Sequence, residues 1–497
     1  MNVYLMHQDR NFSINETITQ DQKTLTRDLG IEGILEVMAN QDPIIYDICN
    51  QALFLSLNDP DAILYRQAIL KDCIKNPKII RTMYELVTEL LVKKKEWFWS
   101  FTSSYRSSNL SGSVNLLKFF IKYFICFKEI ADNEASKFNS AGFKNFFAMI
   151  RENLDDDFIK MLDTNLKELQ FKDGVLISAQ VGKKLYGHSY VLRKKNKSSR
   201  LKWRFAPSFT LHSRDDRGAI DLGYRKVRAC EPIIDPIVLS TQHVLAFWNI
   251  LKSELAFYVG ALNLYDRIRE TPYPLTFPDP MEAAEKDLNC EGLYDLGLSL
   301  IKTAEAIISN SLSANMNDLL IVTGANQGGK TTFLRSLGQA QLMMQCGLFV
   351  PSESFTASVC SGIFSHFTKD EDATMTSGKL DEELNRMSAI IDKLTPQALI
   401  LFNESFASTN EREGSEIARQ IVKALLAKEI RVVFVTHFFA FANGFYQEKN
   451  PHHLFLRAER SDDGSRTFVI LPGKPFPTSF GNDLYQRVFE TCRNPST

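Results

Sequence analysis

The chain lacks a charge bias, paired cysteines and any long uninterrupted apolar run. Its 497 residues carry 58 Lys and Arg against 59 Asp and Glu, a formal net charge of −1. Any nucleic-acid surface must therefore be a local patch. Eight cysteines, from Cys49 to Cys492, are scattered without a CxxC pair. That spacing argues against a zinc site or a disulfide framework and favours a reducing compartment. The start of the chain, Met1 to Asp9, has no basic segment followed by an apolar one, so no signal peptide is expected. The greasiest window, Phe119 to Phe127, is too short and too charged to span a bilayer. A cytoplasmic protein without membrane association is expected. No internal repeat or low-complexity tract is evident, and no NKxD base-reading motif argues for a GTPase.

What the chain does have is one stretch around which the rest is organised. The apolar run Leu319 to Val322 leads into Thr323-Gly324-Ala325-Asn326-Gln327-Gly328-Gly329-Lys330-Thr331-Thr332, and Phe333 to Leu337 then reads as a helix. Gly324 to Thr331 fits the phosphate-binding pattern GxxxxGK[ST] without a gap. Glycines let backbone N–H groups turn inward around phosphate oxygens, and a helix N-terminus adds positive potential. Lys330 can reach β- and γ-phosphates, the Thr331 hydroxyl can ligate Mg²⁺, and Asn326 and Gln327 offer backbone and amide donors. Two further buried-strand runs follow. Ala398 to Phe402 ends in Asn403-Glu404, where a Mg²⁺-binding group and a base are expected, and Val432 to Val435 ends in Thr436-His437. Successive parallel strands would bring these ends to one crevice.

Taken in order, the chain suggests two to four domains. Residues 1–25 are polar and read as an arm. From Asp28 to Trp99 apolar residues recur three and four apart, with helix-start signals at Asp42-Pro43, Asn58-Asp59-Pro60 and Asn76-Pro77. Ser103 to Ser113 reads as a loop, and helices follow at about 114–133 and 136–169. At Gly174 the period changes. Val175 to Ala179, Tyr190 to Leu192, Leu201 to Phe205 and Tyr224 to Arg228 read as short strands of an insert over 174–230. Between Arg193 and Arg228 twelve Lys and Arg face three Asp, with Trp203, Phe205 and Phe209 interleaved. Arg193, Lys194, Lys195, Lys197, Arg200, Lys202 and Arg204 are candidates for contact with a phosphate backbone, or else keep a hairpin edge soluble. Helix resumes from about Asp235 to Arg269, and the Pro-rich stretch Thr271 to Pro278 marks the best boundary.

The motifs TGANQGGKTTFLR, GLFVPSE, IFSHFTKDED, LILFNESFASTNEREG and VFVTHF resemble, in order and spacing, the ATPase domain of the MutS family. The likeness covers roughly residues 300–485, and the upstream helices resemble the family's core-and-lever region. The resemblance implies an α/β P-loop (ABC-type) ATPase domain over 280–497. It also implies a mainly α-helical core/lever domain over 26–279 carrying the small β insert. By the same resemblance Glu404 orients and deprotonates the attacking water, His437 senses the γ-phosphate, and Ile307 sits at an adenine-stacking position. A loop that a second subunit offers to the γ-phosphate matches Thr376 to Glu383, with Ser377 as its hydroxyl. ATP and Mg²⁺ are the implied ligands, and a homodimer on double-stranded or branched DNA is the implied assembly.

Several departures from the family matter. The usual Asp-Glu pair is Asn403-Glu404, so the metal loses a nearby charge and hydrolysis is expected to be slow. The glycine-rich segment after it is Ser405-Phe406-Ala407. No mismatch-reading domain with a Phe-x-Glu wedge is expected before the helices. Phe127-Lys128-Glu129 has those letters but lies in a helical stretch. The sixteen residues after Gly481 are too few for the family's dimerisation arm, and no nuclease domain is expected. The expected function is an ATP-driven DNA clamp that reads a DNA structure other than a mismatch. An ATPase acting on RNA or a ribonucleoprotein, and an ATP-holding switch with little turnover, are the competing readings.

Overall fold

The computed structural model describes residues 2–18, 20–98, 106–171, 174–193, 209–301, 307–368, 378–461 and 466–476. The predicted strand Leu201–Phe205 and the candidate residues Lys194, Lys195, Lys197, Arg200, Lys202, Arg204 and Ser377 lie outside them. Two compact units form: Met1–Tyr4 with Lys78–Leu255, and Leu5–Pro77 with Ala256–Thr497. This partition differs from a division at residues 25 and 279, because the first helices are tied into the second unit by buried polar contacts. The Gln339 amide donates to Leu29 O at 2.8 Å. Arg66 donates to Met6 O at 3.0 and 3.1 Å and to Cys346 O at 3.0 Å.

Helices α1 (Gln22–Leu29), α2 (Glu32–Ala39), α3 (Pro43–Phe54) and α4 (Pro60–Lys75) open the second unit. Their starts follow local chemistry. Asp42 accepts from Ile44 N at 2.8 Å, Asp59 accepts from Asp61 N at 3.0 Å, and Pro43 and Pro60 pre-set the helical φ. The expected polar arm is in fact anchored. Leu5, Met6 and Phe12 are buried, and the Tyr258 hydroxyl donates to Leu5 O. Apolar residues without helical spacing hid this from a periodicity reading.

The first unit holds α5 (Pro77–Phe98) from Lys78 onward, α6 (Arg106–Glu134), α7 (Ala141–Asn153) and α8 (Asp156–Glu168). A two-stranded antiparallel ribbon, β1 (Leu176–Val181) and β2 (Gly187–Arg193), precedes the 54-residue helix α9 (Asp216–Arg269). Phe124 and Phe127 of α6 lie 4.7 and 5.3 Å from the Trp248 ring of α9. The Phe-x-Glu lookalike is thus core: Phe127 is 1% exposed. Two expectations are corrected here. Ser103 to Ser113 is not a loop throughout, since α6 begins at Arg106. Tyr224 to Arg228 is helix, not strand. Asp215 accepts from Gly218 N at 2.9 Å to start α9, and Asp221 pairs with Arg225 one turn on at 2.6 Å. The helix also runs through Pro232 and Pro236, which mimic a break in sequence.

The rest of the second unit is mixed α/β. Strands β3 (Asp279–Met281), β4 (Leu288–Leu293), β5 (Asn310–Ser313) and β7 (Ser354–Ser358) form a sheet in the order β3-β7-β4-β5. The larger sheet contains β6 (Leu319–Thr323), β8 (Ile363–Phe367), β9 (Leu399–Asn403), β10 (Arg431–Val435), β11 (His453–Arg460) and β12 (Arg466–Pro472). Its order is β12-β11-β6-β10-β9-β8, parallel except for β12. Helices α10 (Leu296–Ile301), α11 (Lys330–Gln345), α12 (Lys379–Ile391), α13 (Glu411–Ala427) and α14 (Phe439–Gln447) complete the unit. All five residues of β6 and of β8 are buried, as strands covered on both faces must be. Leu319, Ile321, Ile400, Phe402, Val432 and Phe434 pack with Phe406, Phe438 and Phe441 in one core. The boundary-like stretch after α9 is part of this unit too, because Thr276 pairs with Val350.

Candidate functional site

Parallel strands β6, β10 and β9 are neighbours, in a register that pairs Val435 with both Val322 and Asn403. Their C-terminal ends therefore deliver the Gly324 loop, Thr436-His437 and Asn403-Glu404 to one edge of the sheet. A ligand crevice is expected at that edge.

The loop between β6 and α11 needs its glycines. Gly324 has φ 120°, and a Cβ there would lie 2.9 Å from Ala458 N. Gly329 has φ 86° and lies against the Phe468 backbone, with 3.2 Å from a would-be Cβ to Phe468 O. Ala325 is buried, while Asn326 and Gln327 are exposed. No side chain caps the start of α11. Its first amides and its dipole are thus available to an anion. Lys330 is 5% exposed and donates to Gly324 O at 3.1 Å and Ala325 O at 3.0 Å. Burial holds its pKa below the usual lysine value. Glu404 opposes this shift and Arg466 adds to it.

Exposed Thr331 faces across the crevice, its Oγ1 donating to Asn403 Oδ1 at 3.0 Å, with Thr332 half-buried beside it. Next to Asn403, Glu404 takes φ 51°, a left-handed conformation that costs a non-glycine residue about 1 to 3 kcal/mol. Its N–H donates to Val435 O at 2.9 Å. Its carboxylate lies 4.0 Å from His437 Nδ1, and both side chains are a little over one-third exposed. The Thr436 Oγ1 accepts from Phe438 N at 2.9 Å and so shapes the turn that presents His437.

The missing glycines after Glu404 have a structural replacement. Phe406 is also left-handed, at φ 65°, yet fully buried, with its ring 5.3 Å from His366 and stacked on it. Ser405 Oγ lies 2.7 Å from His366 Nδ1 and donates to His366 O at 2.5 Å. Core packing and hydrogen bonds to β8 hold a turn that glycine would otherwise make easy.

Ile307 donates its N–H to the Tyr273 hydroxyl at 3.0 Å. Three residues on, Asn310 accepts from Ile470 N at 2.6 Å. Phe468, which no sequence motif singles out, stands at the loop of Gly324 and Gly329. It is 46% exposed, has φ 60°, and stands where the β11–β12 register shifts. A bulge re-aims a side chain, and here it sets the Phe468 backbone and Cβ against Gly329. Its one sequence signal is an aromatic that follows the polar residues Arg466-Thr467. Arg193 is described on the ribbon of the first unit, donating from Nε to Ser178 Oγ at 2.9 Å.

Two family models match the chain. A family model described as MutS domain V matches residues 320–485, and one described as MutS2 N-terminal domain matches residues 58–271. The chain is 29% identical over 141 residues to MutS protein homolog 4 of Mus musculus, covering 28% of this chain and 15% of that protein. It is 28% identical over 188 residues to the DNA mismatch repair protein MutS of Thermus thermophilus, covering 37% and 22%. With the protein of that name from Thermotoga neapolitana it shares 33% over 123 residues, covering 25% and 15%. The matched stretch thus spans at most 22% of the length of these relatives.

Proposed function

Because this chain belongs to the MutS family, we propose that it is a P-loop ATPase that couples ATP binding and slow hydrolysis to the binding of DNA. One observation supports this most: Thr331 and Asn403 are hydrogen-bonded across the strand ends beside Glu404 and His437. That is the arrangement a nucleotide triphosphate needs, with a phosphate loop, two oxygen donors, a carboxylate and an imidazole around one point.

The chain's own residues divide the work. Gly324 to Lys330 turn backbone N–H groups toward the phosphates, and Lys330 exchanges the carbonyls of Gly324 and Ala325 for phosphate oxygens. Burial makes that exchange favourable, since a desolvated ammonium gains most from a full counter-charge. Thr331 Oγ1 donates its proton to Asn403 Oδ1 and so keeps its lone pairs for a metal, a donor set that fits Mg²⁺. Both donors are neutral, so the nucleotide's phosphates must supply the charge. Thr331 and Asn403 would hold Mg²⁺, which would supply positive charge to offset that developing on the phosphate oxygens. Glu404 accepts a proton from the attacking water, and His437, 4.0 Å away, donates to the γ-phosphate and so distinguishes ATP from ADP. Phe468 offers the base a ring where Ile307 has none.

The loop containing Ser377 is read as the contribution of a second copy, making the site a homodimer property. DNA in double-stranded or branched form is the proposed partner, met by the basic insert after Arg193. Calorimetry with ATP tests the first half of this reading: Lys330→Ala should lose tight binding while the fold remains. Steady-state hydrolysis tests the second: Glu404→Gln should bind ATP and turn it over at least 100-fold more slowly, on the order of the loss of a catalytic base. Unchanged ATP affinity in the first variant, or parental turnover in the second, would refute it. Filter binding of duplex, branched and mismatched DNA against structured RNA decides the polymer, and a preference for RNA would overturn the DNA assignment.

A further inference from the structure

The geometry points to Thr368 as the residue that positions Glu404, an inference that rests on Glu404 acting as the base. The register of β8 against β9 pairs Phe367 with Asn403, which brings Thr368 alongside Glu404. Thr368 N donates to Asn403 O at 3.1 Å, extending the ladder one residue past the strand. Its hydroxyl then turns to the base itself, donating to Glu404 O at 2.5 Å and standing 3.2 Å from Asn403 O.

Glu404 is consequently held from both sides. Strand β10 takes its N–H through Val435 O, and Thr368 takes its carbonyl. Between these two anchors the backbone adopts φ 51°, which an unrestrained glutamate would leave. The direction in which the carboxylate leaves the backbone depends on that dihedral, and so does its place beside His437. The neighbouring grip of His366 on Ser405 supports the same turn but does not touch Glu404. Thr368 is half-buried and its hydroxyl is the only part of the side chain in these hydrogen bonds. Valine would keep the shape and the backbone N–H and remove the donor.

The test compares the full chain with Thr368→Val, Thr368→Ser, Glu404→Gln and the Thr368→Val/Glu404→Gln double variant. Steady-state kcat is read at saturating ATP and Mg²⁺, and ATP affinity by calorimetry. Misplacing a catalytic group by an ångström costs up to about 100-fold, so Thr368→Val should lower kcat by about 10- to 100-fold. ATP affinity should stay within about threefold, and Thr368→Ser should restore kcat to a similar margin. Because Thr368 acts through Glu404, adding Thr368→Val to Glu404→Gln should change the residual rate by less than about threefold. Parental kcat in Thr368→Val, an equal fall in Thr368→Ser, or multiplied losses in the double variant would overturn the role. A Thr368→Val chain that does not fold while Thr368→Ser does would make the residue structural and overturn it as well. If Glu404→Gln itself hydrolyses ATP at the parental rate, the base assignment fails. An active Thr368→Val beside an inactive Glu404→Gln removes only the positioning role.

Discussion

Replacing Asn403 with Asp should lower the Mg²⁺ requirement of hydrolysis without much change in its maximal rate. The structure supplies the magnitude. Asn403 Oδ1 lies 3.0 Å from Thr331 Oγ1, so it would act on a metal held there through that hydroxyl or through a water. Hydrogen bonds to a charged group contribute about 1.5 to 3 kcal/mol, and neutral ones about 1 kcal/mol. A carboxylate should thus strengthen metal binding by about 1 to 2 kcal/mol, or roughly 5- to 30-fold in half-saturating Mg²⁺. A direct Coulomb figure at 4 Å and an effective dielectric of 20 is about 4 kcal/mol per pair of unit charges, which bounds the gain from above before desolvation offsets it. With Glu404 as the proposed base and Asn403 as the proposed metal ligand, the plateau should stay within about threefold. The assay is steady-state ATPase rate against free Mg²⁺ at saturating ATP for both proteins. Coincident curves would show that Asn403 has no part in metal affinity. A plateau raised as much as the affinity would assign it to the chemical step.

Three other outcomes follow. Phe468→Ala should weaken ATP more than inorganic triphosphate in calorimetry, by about 0.5 to 1.5 kcal/mol if a base stacks on its ring, and equal losses would remove that contact. His7 is 8% exposed, and burial together with Arg66 and Arg10 pushes its pKa down to about 3. A folded-state pKa below the unfolded value of about 6.5 means full stability above pH 6.5 and progressive loss as pH falls toward 3, about 2 kcal/mol by pH 5. Denaturant titrations at both pH values should therefore lose most of that difference in His7→Leu, and parallel behaviour of the two proteins would count against it. Neutralising Arg193, Lys194, Lys195 and Lys197 together should flatten the salt dependence of DNA binding, by up to about 0.9 in log–log slope for each phosphate contact removed. An unchanged slope would leave these residues as solvated charges.

Much of the architecture is written in short-range patterns. Asp-Pro pairs start α3 and α4 because the cap and the fixed φ act within one turn. The runs ending in Gly324, Asn403 and Thr436 become adjacent parallel strands because continuous apolar strands must be covered on both faces. Lys330, Thr331, Asn403, Glu404 and His437 all follow legible strands, so their common location can be read in the sequence, while their expected roles come from the GxxxxGK[ST] pattern and the family resemblance. A helix through Pro232 and Pro236 was not, because its local signals point the other way and tertiary packing overrides them.

The kind of chemistry can be read along the chain. A glycine-rich loop, a carboxylate and a histidine lie at the ends of strands that periodicity and turn residues mark out. How these groups are held emerges only on folding. Thr368 reaches Glu404, Phe406 fills the place of a glycine, and Phe468 turns out on a bulge beside Gly329. Likewise Leu5 to Pro77 joins the sheet-containing unit through Arg66, Gln339 and Tyr258. The physical reason is range. Hydrophobic period and capping act over a few residues, whereas these contacts join residues tens to hundreds apart, where sequence spacing carries no signal of distance.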